Sequence, residues 1–172
     1  MENLSLVAAI GRCNELGLNN HLIWKIKEDL IFYKKLTLHK NIIMGRKTFE
    51  SMPTNALKER NIFVLSSKNL DEYCDVNAFT DIKSLLKYIE LVNQEFIVVG
   101  GSTIYNEFLP YADTMYLTEI DAYGEADTFF PHIDEREWDI ETIYAHNKDY
   151  SIPKDVGYIR NKYVRRRTKQ NG

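Results

Sequence analysis

One carboxylate, Asp29, lies among apolar residues in a segment with helical periodicity. On a helical wheel of residues 26–36 it is the only charge within the apolar stripe, which is formed by Ile26, Leu30, Phe32, Tyr33 and Leu36. Glu28, Lys34 and Lys35 are predicted to point away from the stripe. Because burying an unpaired carboxylate costs several kcal/mol, Asp29 is expected to be protonated, paired within the protein, or available to a ligand. Alternatively, Asp29 has no functional role and is an acid in the first turn, stabilised by the helix dipole at the edge of the apolar stripe.

Glycines at the ends of predicted strands are a second feature of the sequence. Gly45 and the pair Gly100-Gly101 follow apolar runs, at the edge where open α/β sheets bind ligands. Each glycine alone is explained equally well by a tight turn. However, Gly45 is followed by Arg46 and Lys47 at the start of a short helix, where the helix dipole disfavours positive charge. This local cost predicts that an anion binds at that turn.

The turn at Gly100-Gly101 and a third turn carry groups that suit phosphate. Ser102 and Thr103 precede a predicted helix, whose free N–H groups are expected to face a ligand above the glycines. Ser66 and Ser67 follow another strand, with a lysine next. Together these turns predict a phosphorylated dinucleotide at one edge of the sheet. Because the GxGxxG pattern is absent, the cofactor is expected to be held differently from the ordinary Rossmann arrangement.

The loop before the Asp29 helix, residues 12–24, is polar and rich in turn residues, with Gly17 near its middle. A loop of this kind beside a candidate site is typical of a lid that closes over reactants. Trp24, at its end, is expected from this pattern alone to pack in the core.

The elements that position these residues alternate between short apolar runs and helical segments, as in an α/β sheet. The predicted strands are 4–10, 40–44, 61–67, 95–100 and 114–121, and the predicted helices are 27–38, 47–52, 81–92 and 102–109. Nearly continuous apolar character in the second to fourth strands indicates parallel strands buried on both faces. Three later segments, 127–130, 138–146 and 158–167, leave no room for helices between them and predict an antiparallel addition to the sheet.

Composition excludes several classes of protein. The 172 residues are 44% hydrophobic and 27% charged, which is typical of a globular protein, and the formal charge of -3 offers no general attraction for nucleic acid or an anionic membrane. Cys13 and Cys74 have no zinc spacing and are interpreted as reduced thiols, and no metal site is expected. The first residues lack a signal-peptide pattern. We therefore expect one domain, residues 1–172, that is cytoplasmic and monomeric.

Taken in order, the motifs resemble the dihydrofolate reductase family, bacterial chromosomal type. They are LVAAIG, the loop ending in Trp24, KEDLIFYKKLTL, NIIMGRKTFESM, RNIFVLSS, FIVVGGSTIYNEFLP, MYLTEID and DTFFP, and they cover nearly the whole chain. The resemblance implies an α/β fold with a single mixed, mainly parallel sheet of about eight strands, helices on both faces and an antiparallel C-terminal strand pair. It also implies a cis peptide bond between Gly100 and Gly101.

The resemblance further implies NADPH-dependent reduction of 7,8-dihydrofolate to 5,6,7,8-tetrahydrofolate, by hydride transfer to C6 and protonation at N5, which supplies one-carbon metabolism. Antifolate inhibitors are expected ligands. Asp29 would hydrogen-bond the pterin, Trp24 would hold an ordered water near it, and Arg60 would bind the α-carboxylate of the glutamyl tail. The other expected substrate residues are Val7, Tyr33, Leu57 and Thr118. The expected NADPH residues are Ala9, Leu16, Gly17, Asn20, Arg46, Lys47, Thr48, Ser66, Ser67, Gly100, Gly101, Ser102, Thr103, Ile104 and Tyr105.

Some positions depart from the family pattern. Ile23 stands where the family usually has proline, Thr103 where many relatives have arginine, and the usual PLPGR turn reads ALKER. Two alternative functions for this sequence are a pyrimidine reductase of riboflavin synthesis and a non-catalytic module that binds a pterin or a nucleotide. The presence of Asp29 and of the Trp24 loop disfavours the reductase of riboflavin synthesis. The presence of both the acid and the cofactor turns disfavours the non-catalytic module.

Overall fold

The computed structural model describes residues 1–167; residues 168–172, the end of the predicted domain, lie outside the described residues. Its strands are β1 Leu4–Ile10, β2 Glu15–Leu18, β3 His21–Leu22, β4 Asn41–Gly45, β5 Asn61–Leu65, β6 Asn77–Phe79, β7 Phe96–Gly100, β8 Thr114–Ile120, β9 Thr128–Phe129, β10 Trp138–His146 and β11 Tyr158–Arg165. Its α-helices are α1 Lys27–Thr37, α2 Arg46–Ser51, α3 Thr54–Leu57, α4 Ile82–Val92 and α5 Ser102–Phe108.

Eight strands form the main sheet, in the order β10-β11-β8-β1-β7-β4-β5-β6. The neighbours from β8 to β6 are parallel, whereas β11 is antiparallel to both β8 and β10. The mixed, mainly parallel sheet with an antiparallel C-terminal pair is therefore confirmed. A second sheet, in the order β3-β2-β9, joins the loop before α1 to a later loop of the chain.

Side chains on the central strands alternate between two apolar clusters, one on each face of the sheet. On β7, Phe96 and Val98 belong to the first cluster, while Ile97 and Val99 belong to the second. The first contains Leu85, Ile89, Ile104 and Phe108 from α4 and α5, and the second is covered by Phe32, Tyr33, Leu36 and Phe49 from α1 and α2. Helices thus cover both faces, which explains why these strands read as continuous apolar runs.

The ends of α1 follow the helix dipole. Glu28 and Asp29 lie in its first turn, and Lys34 and Lys35 lie in its last turn. Each charge is of the sign that stabilises its end of a helix. Ile26 at the N-cap contributes no side-chain hydrogen bond, so the first-turn carboxylates supply the local stabilisation at this end of the helix.

The predicted strands and helices agree with the structure to within about two residues at their ends, apart from one segment. Residues 127–130 do not extend the main sheet, because only Thr128 and Phe129 form a strand, and this strand pairs with β2. The short elements β2, β3, β6 and α3 were not predicted, since 2 to 4 residues are too few to show a period. Within residues 1–167, no helix combines the length and apolar character needed to cross a membrane.

Candidate active site

Asp29 lies at the junction of α1 with β8 and β11. Its Oδ1 accepts a hydrogen bond from the hydroxyl of Thr118 and another from Arg160 Nη2 at 2.9 Å. Among residues 1–167, no group donates a hydrogen bond to its Oδ2. The side chain keeps 20% of its surface exposed. Of the alternatives left open by the sequence, pairing within the protein is therefore the one observed, and one carboxylate oxygen stays available.

Arg160 was not among the predicted site residues. It is 2% exposed, and its guanidinium also donates to both carboxylate oxygens of Glu28, at 3.2 and 2.8 Å. The prediction that Glu28 points away into solvent is therefore wrong. The hydrogen bonds from Arg160 lower the pKa of Glu28 despite its partial burial. No local pattern distinguishes an inward arginine on β11 from the exposed arginines that follow it, so the sequence carried no signal for Arg160.

An apolar wall lies on the same face of the sheet. Val7, Tyr33 and Leu57, all predicted substrate residues, belong to one apolar cluster. Tyr105 donates a hydrogen bond to the carbonyl oxygen of Val7 at 2.7 Å, which ties α5 to β1 beneath this wall. The hydroxyl of Tyr33 is buried without a hydrogen-bond partner in residues 1–167, and burial raises its pKa to about 12. Tyr33 is therefore a neutral hydroxyl with hydrogen-bonding capacity left over.

Arg60 is fixed at the far end of α1. Its Nε donates to the hydroxyl of Thr37 at 2.9 Å, Nη1 to the carbonyl of Lys58 at 2.8 Å, and Nη2 to the carbonyl of Lys34 at 3.2 Å. A guanidinium has five N–H donors, so one on each terminal nitrogen remains. Two parallel N–H groups on a fixed guanidinium are the arrangement that binds a carboxylate in bidentate fashion.

A cavity of about 980 Å³ lies at the carboxyl edge of the parallel strands. Predicted cofactor residues that line it are Asn20, Arg46, Lys47, Thr48, Ser66, Ser67, Gly101, Ser102, Thr103 and Ile104. The other predicted cofactor residues, Ala9, Leu16, Gly17, Gly100 and Tyr105, are not in its lining. The three predicted turns are thus brought together at one edge, where open α/β sheets bind ligands.

Close approach of two turns explains the glycines beside this cavity. A Cβ atom on Gly45 would lie 3.0 Å from Ile104, and a Cβ atom on Gly101 would lie 3.3 Å from the hydroxyl oxygen of Thr48. Gly100 has φ of +123°, and the Gly100–Gly101 peptide bond is cis, as the resemblance implied. Helices α2 and α5 both begin without a side-chain N-cap. Their first N–H groups therefore remain available at the cavity.

Arg46 and Lys47 differ in how they are held. Arg46 Nη1 lies 2.7 Å from Glu50 Oε2 one turn later in α2, an ion pair that offsets part of the unfavourable interaction with the helix dipole. Lys47 forms no ion pair with any group in residues 1–167, and its side chain is exposed at the cavity rim. The unfavourable interaction of a cation with the N-terminus of the helix dipole, which predicted a bound anion, is thus reduced for Arg46 and remains for Lys47.

The loop before α1 is held by a buried carboxylate that was also missed. Glu15 is 3% exposed and accepts hydrogen bonds from the backbone N–H groups of Cys13 at 2.7 Å and Gly124 at 3.2 Å. Burial by itself would raise the pKa of Glu15, but these backbone hydrogen bonds outweigh it and hold the pKa below its ordinary value. Asp127 adds a second link, since its carboxylate accepts from the N–H of Asn19 at 2.9 Å.

Trp24 packs at the base of this loop. The outer edge of its indole lies against Gly11 and Gly124, where a Cβ atom would come within 2.6 Å and 3.1 Å of the ring. Trp24 therefore packs against two chain segments that are far apart in sequence. It is half-buried and belongs to neither apolar cluster, so the expectation that it packs in the core is wrong.

Comparison with known proteins identifies the family of this chain. The family model described as dihydrofolate reductase matches residues 3–165. The chain belongs to the dihydrofolate reductase family. It is 32% identical to the dihydrofolate reductase of Bacillus subtilis (strain 168), over 91% of this chain and 92% of that protein. It is 39% identical to the dihydrofolate reductase of Buchnera aphidicola subsp. Schizaphis graminum, over 87% and 92% of the two chains.

A solved structure from the same family has a closely similar fold. Dihydrofolate reductase from Enterococcus faecalis, complexed with NADP(H) and RAB-propyl, superposes with a TM-score of 0.81 at 29% sequence identity. The match covers 96% of this chain and 97% of that one. The family resemblance and the fold class predicted from the motifs are therefore both confirmed.

Proposed function

We propose that this chain is an NADPH-dependent dihydrofolate reductase that converts 7,8-dihydrofolate to 5,6,7,8-tetrahydrofolate and so supplies one-carbon metabolism. The observation that carries the proposal is the pairing of Asp29 on the same sheet face as the apolar wall. One oxygen is held by Thr118 and Arg160, and the other has no hydrogen-bond donor among residues 1–167. A planar heterocycle with adjacent N–H groups suits such a carboxylate. The family assignment supports the same activity.

In this proposal, Asp29 accepts hydrogen bonds from the 2-amino and ring N–H groups of the pterin. Val7, Tyr33, Leu57 and Thr118 line the ring and benzoyl positions, and the two remaining donors of Arg60 bind the α-carboxylate of the glutamyl tail. Fixing the ring against a carboxylate selects its pose and tautomer, and the negative charge favours the cation formed when N5 gains a proton. We propose that this proton comes from water and that Trp24 holds an ordered water near Asp29.

The residues around the cavity fit NADPH. Its lining combines hydroxyls, two cations and the open N-termini of α2 and α5, and Gly45 and Gly101 let two turns approach one another. Arg46, Lys47, Thr48, Ser66 and Ser67 would hold the adenosine half with its 2′-phosphate. Ala9, the loop at Leu16, Gly17 and Asn20, and the turn from Gly100 to Tyr105 would hold the nicotinamide and pyrophosphate. When bound there, NADPH supplies the hydride that C6 receives.

We further propose that the loop closed by Glu15 excludes water from the reacting rings, because water in the site would weaken the charge interactions made by Asp29. Antifolates are expected to bind through the same carboxylate. Cys13 and Cys74 are unpaired and exposed, which is consistent with a reducing compartment such as the cytoplasm. A single domain, residues 1–172, acting as a monomer is the simplest form of this enzyme.

The direct test is a spectrophotometric assay of NADPH oxidation with and without dihydrofolate. Oxidation that depends on dihydrofolate, and that is much slower with NADH, is the expected result. An antifolate that stops the reaction adds support from the same site. NADPH binding without substrate-dependent oxidation would contradict the proposal and favour a non-catalytic binding module.

A further inference from the structure

Arg160 is a buried cation whose polar contacts converge on the candidate catalytic acid. On β11, its Nη2 donates to Asp29 Oδ1 at 2.9 Å and to Glu28 Oε2 at 2.8 Å, while Nη1 donates to Glu28 Oε1 at 3.2 Å. Its Nε lies 3.3 Å from the hydroxyl oxygen of Thr118, the same hydroxyl that donates to Asp29. A cation that is 2% exposed is tolerated only when paired in this way.

Two aromatic rings fix the plane of this guanidinium. The ring centroid of Phe32 lies 3.9 Å from Arg160 Cζ, and that of Tyr144 lies 5.4 Å from it. Stacking with an aromatic face favours one orientation of the planar group and excludes water from its surface. Arg160 is therefore a rigid support for Asp29 rather than a flexible counter-ion.

Glu28 sets the charge of this cluster. Two carboxylates and one guanidinium carry a net charge of about −1 when all are ionised, so Glu28 offsets Arg160 and leaves the negative charge of Asp29 uncancelled. Burial alone would lower the pKa of Arg160, but its hydrogen bonds to Glu28 and Asp29 outweigh that effect and raise the pKa, so it stays protonated.

Other titratable groups near the cluster do not change this charge at neutral pH. The hydroxyl of Tyr158 on β11 lies 3.4 Å from Glu28 Oε2. The pKa of Tyr158 is raised mainly by burial and next by the negative charge of Glu28. Burial likewise raises the pKa values of Tyr33 on α1 and Tyr105 on α5. Lys35 on α1 acts on Glu28 only through its distant charge, and β8 contributes the neutral hydroxyl of Thr118.

We propose that Arg160 is the positioning residue for Asp29: it fixes Oδ1 and leaves Oδ2 for the substrate, while Glu28 offsets the charge of the arginine. This inference rests on the proposed function, in which Asp29 binds the pterin. It predicts that loss of the Arg160 donor changes the surroundings of the Asp29 carboxyl and that a charged donor at position 160 partly restores them, which would not hold for a purely structural arginine.

The test is the carbon-13 NMR signal of the Asp29 carboxyl in the full chain at pH 7, assigned by its loss in Asp29→Asn. In Arg160→Met, which removes the charge and its N–H donors, the signal is expected to move and broaden, because Oδ1 then loses one of its two donors. Arg160→Lys, which restores a charged donor, is expected to bring the signal partway back toward that of the unmodified protein.

Arg166→Met is the matched control, since it removes the same charge from an exposed pair in which Arg166 Nε lies 2.8 Å from Asp139. It is expected to leave the Asp29 signal unchanged. An Asp29 signal that is the same in Arg160→Met and in the control overturns the proposal. If Arg160→Met does not fold, Arg160→Lys decides alone, because an ammonium lacks the planar fork of a guanidinium. A changed Asp29 signal in that variant then supports the proposal, and an unchanged one overturns it.

A kinetic measurement separates this proposal from the activity itself. With NADPH and dihydrofolate, single-turnover hydride transfer in Arg160→Met is expected to be slower by about tenfold or more, with a raised KM, because Asp29 is no longer held. If the unmodified protein shows no dihydrofolate-dependent oxidation, the proposed function fails while the NMR signal of Asp29 still decides the role of Arg160. A normal Asp29 signal and a normal rate in Arg160→Met would together overturn the proposal and assign the residue to packing only.

Discussion

The hydroxyl of Thr118 on β8 donates a hydrogen bond to the carboxylate of Asp29 on α1, across 89 positions of the chain. The bond joins the first turn of a helix to the third strand of the main sheet and determines which carboxylate oxygen remains for a ligand. Arg160 on β11 reaches the same oxygen from the next strand. The candidate acid is thus held by two neighbouring strands as well as by its own helix.

Asp29→Asn is expected to fold and to lose at least about 100-fold in kcat/KM at pH 7. The amide carries no negative charge, and when its oxygen accepts from Thr118 and Arg160, its NH2 group faces the pterin in place of an acceptor. Remaining activity is expected at acidic pH, where dihydrofolate arrives already protonated. The measurement is a pH profile of NADPH oxidation. Asp139→Asn, at an exposed acid paired with Arg166, is the control and should keep the normal profile. Full activity of Asp29→Asn at pH 7 would contradict its assigned role.

Arg60→Met is expected to raise KM for dihydrofolate by about tenfold or more with little change in kcat, because a contact to the tail is equally strong before and during reaction. Steady-state kinetics with dihydrofolate, and with a dihydropterin that lacks the glutamyl tail, test this. The tail-free substrate should react equally well with both proteins. An equal loss for the two substrates would show that Arg60 acts through the fold instead.

Replacing Arg46 and Lys47 together by alanine is expected to raise Kd for NADPH by at least about tenfold while changing Kd for NADH much less, since the 2′-phosphate is the difference between them. Fluorescence titration with each nucleotide measures both values. A double alanine variant of Lys87 and Lys154, two exposed lysines outside the cavity lining, changes the net charge equally and serves as control. Equal weakening of NADPH and NADH would place the 2′-phosphate elsewhere.

Glu15→Gln is expected to lower the free energy of unfolding by about 1–3 kcal/mol at pH 7, because one buried backbone N–H then loses its acceptor. The pKa of Glu15 is lowered in the folded protein, so its contribution is present above the unfolded value of about 4.3 and is lost as the pH falls through the folded value. Urea unfolding at several pH values should therefore show the two proteins converging in acid. A difference that persists unchanged in acid would contradict this role.

Gly124→Ala is expected to destabilise the protein by about 1–3 kcal/mol and to slow turnover, because the added methyl group would lie 2.7 Å from Ile23 and 3.1 Å from the Trp24 ring. Gly157→Ala is the matched control, since its nearest neighbour would be at 3.4 Å, an ordinary contact. Thermal unfolding and NADPH oxidation measure the two effects. Equal Tm values and rates for both variants would show that the Trp24 packing is not tight.

The local sequence was sufficient to predict every strand of the main sheet except the short β6, and the residue types at the turns of that sheet. A strand such as β7 is visible because apolar residues alternate between two buried faces, and the turn after it is visible because glycines and hydroxyls lie next to each other in the chain. Asp29 was also identifiable, since a charge in an apolar stripe is a departure from a local period. These features depend on neighbours within a few residues.

The partners of the candidate acid and of the loop were decided only by tertiary structure. Arg160 lies 131 positions from Asp29, and Gly124 lies 109 positions from Glu15. Whether such groups meet depends on the order and register of β1, β8 and β11, and a shift of one residue would turn Arg160 to the opposite face. The sequence by itself therefore determined the family, the sheet and the acid, whereas strand order and register decided what holds that acid, because long-range pairing leaves no mark on local periodicity.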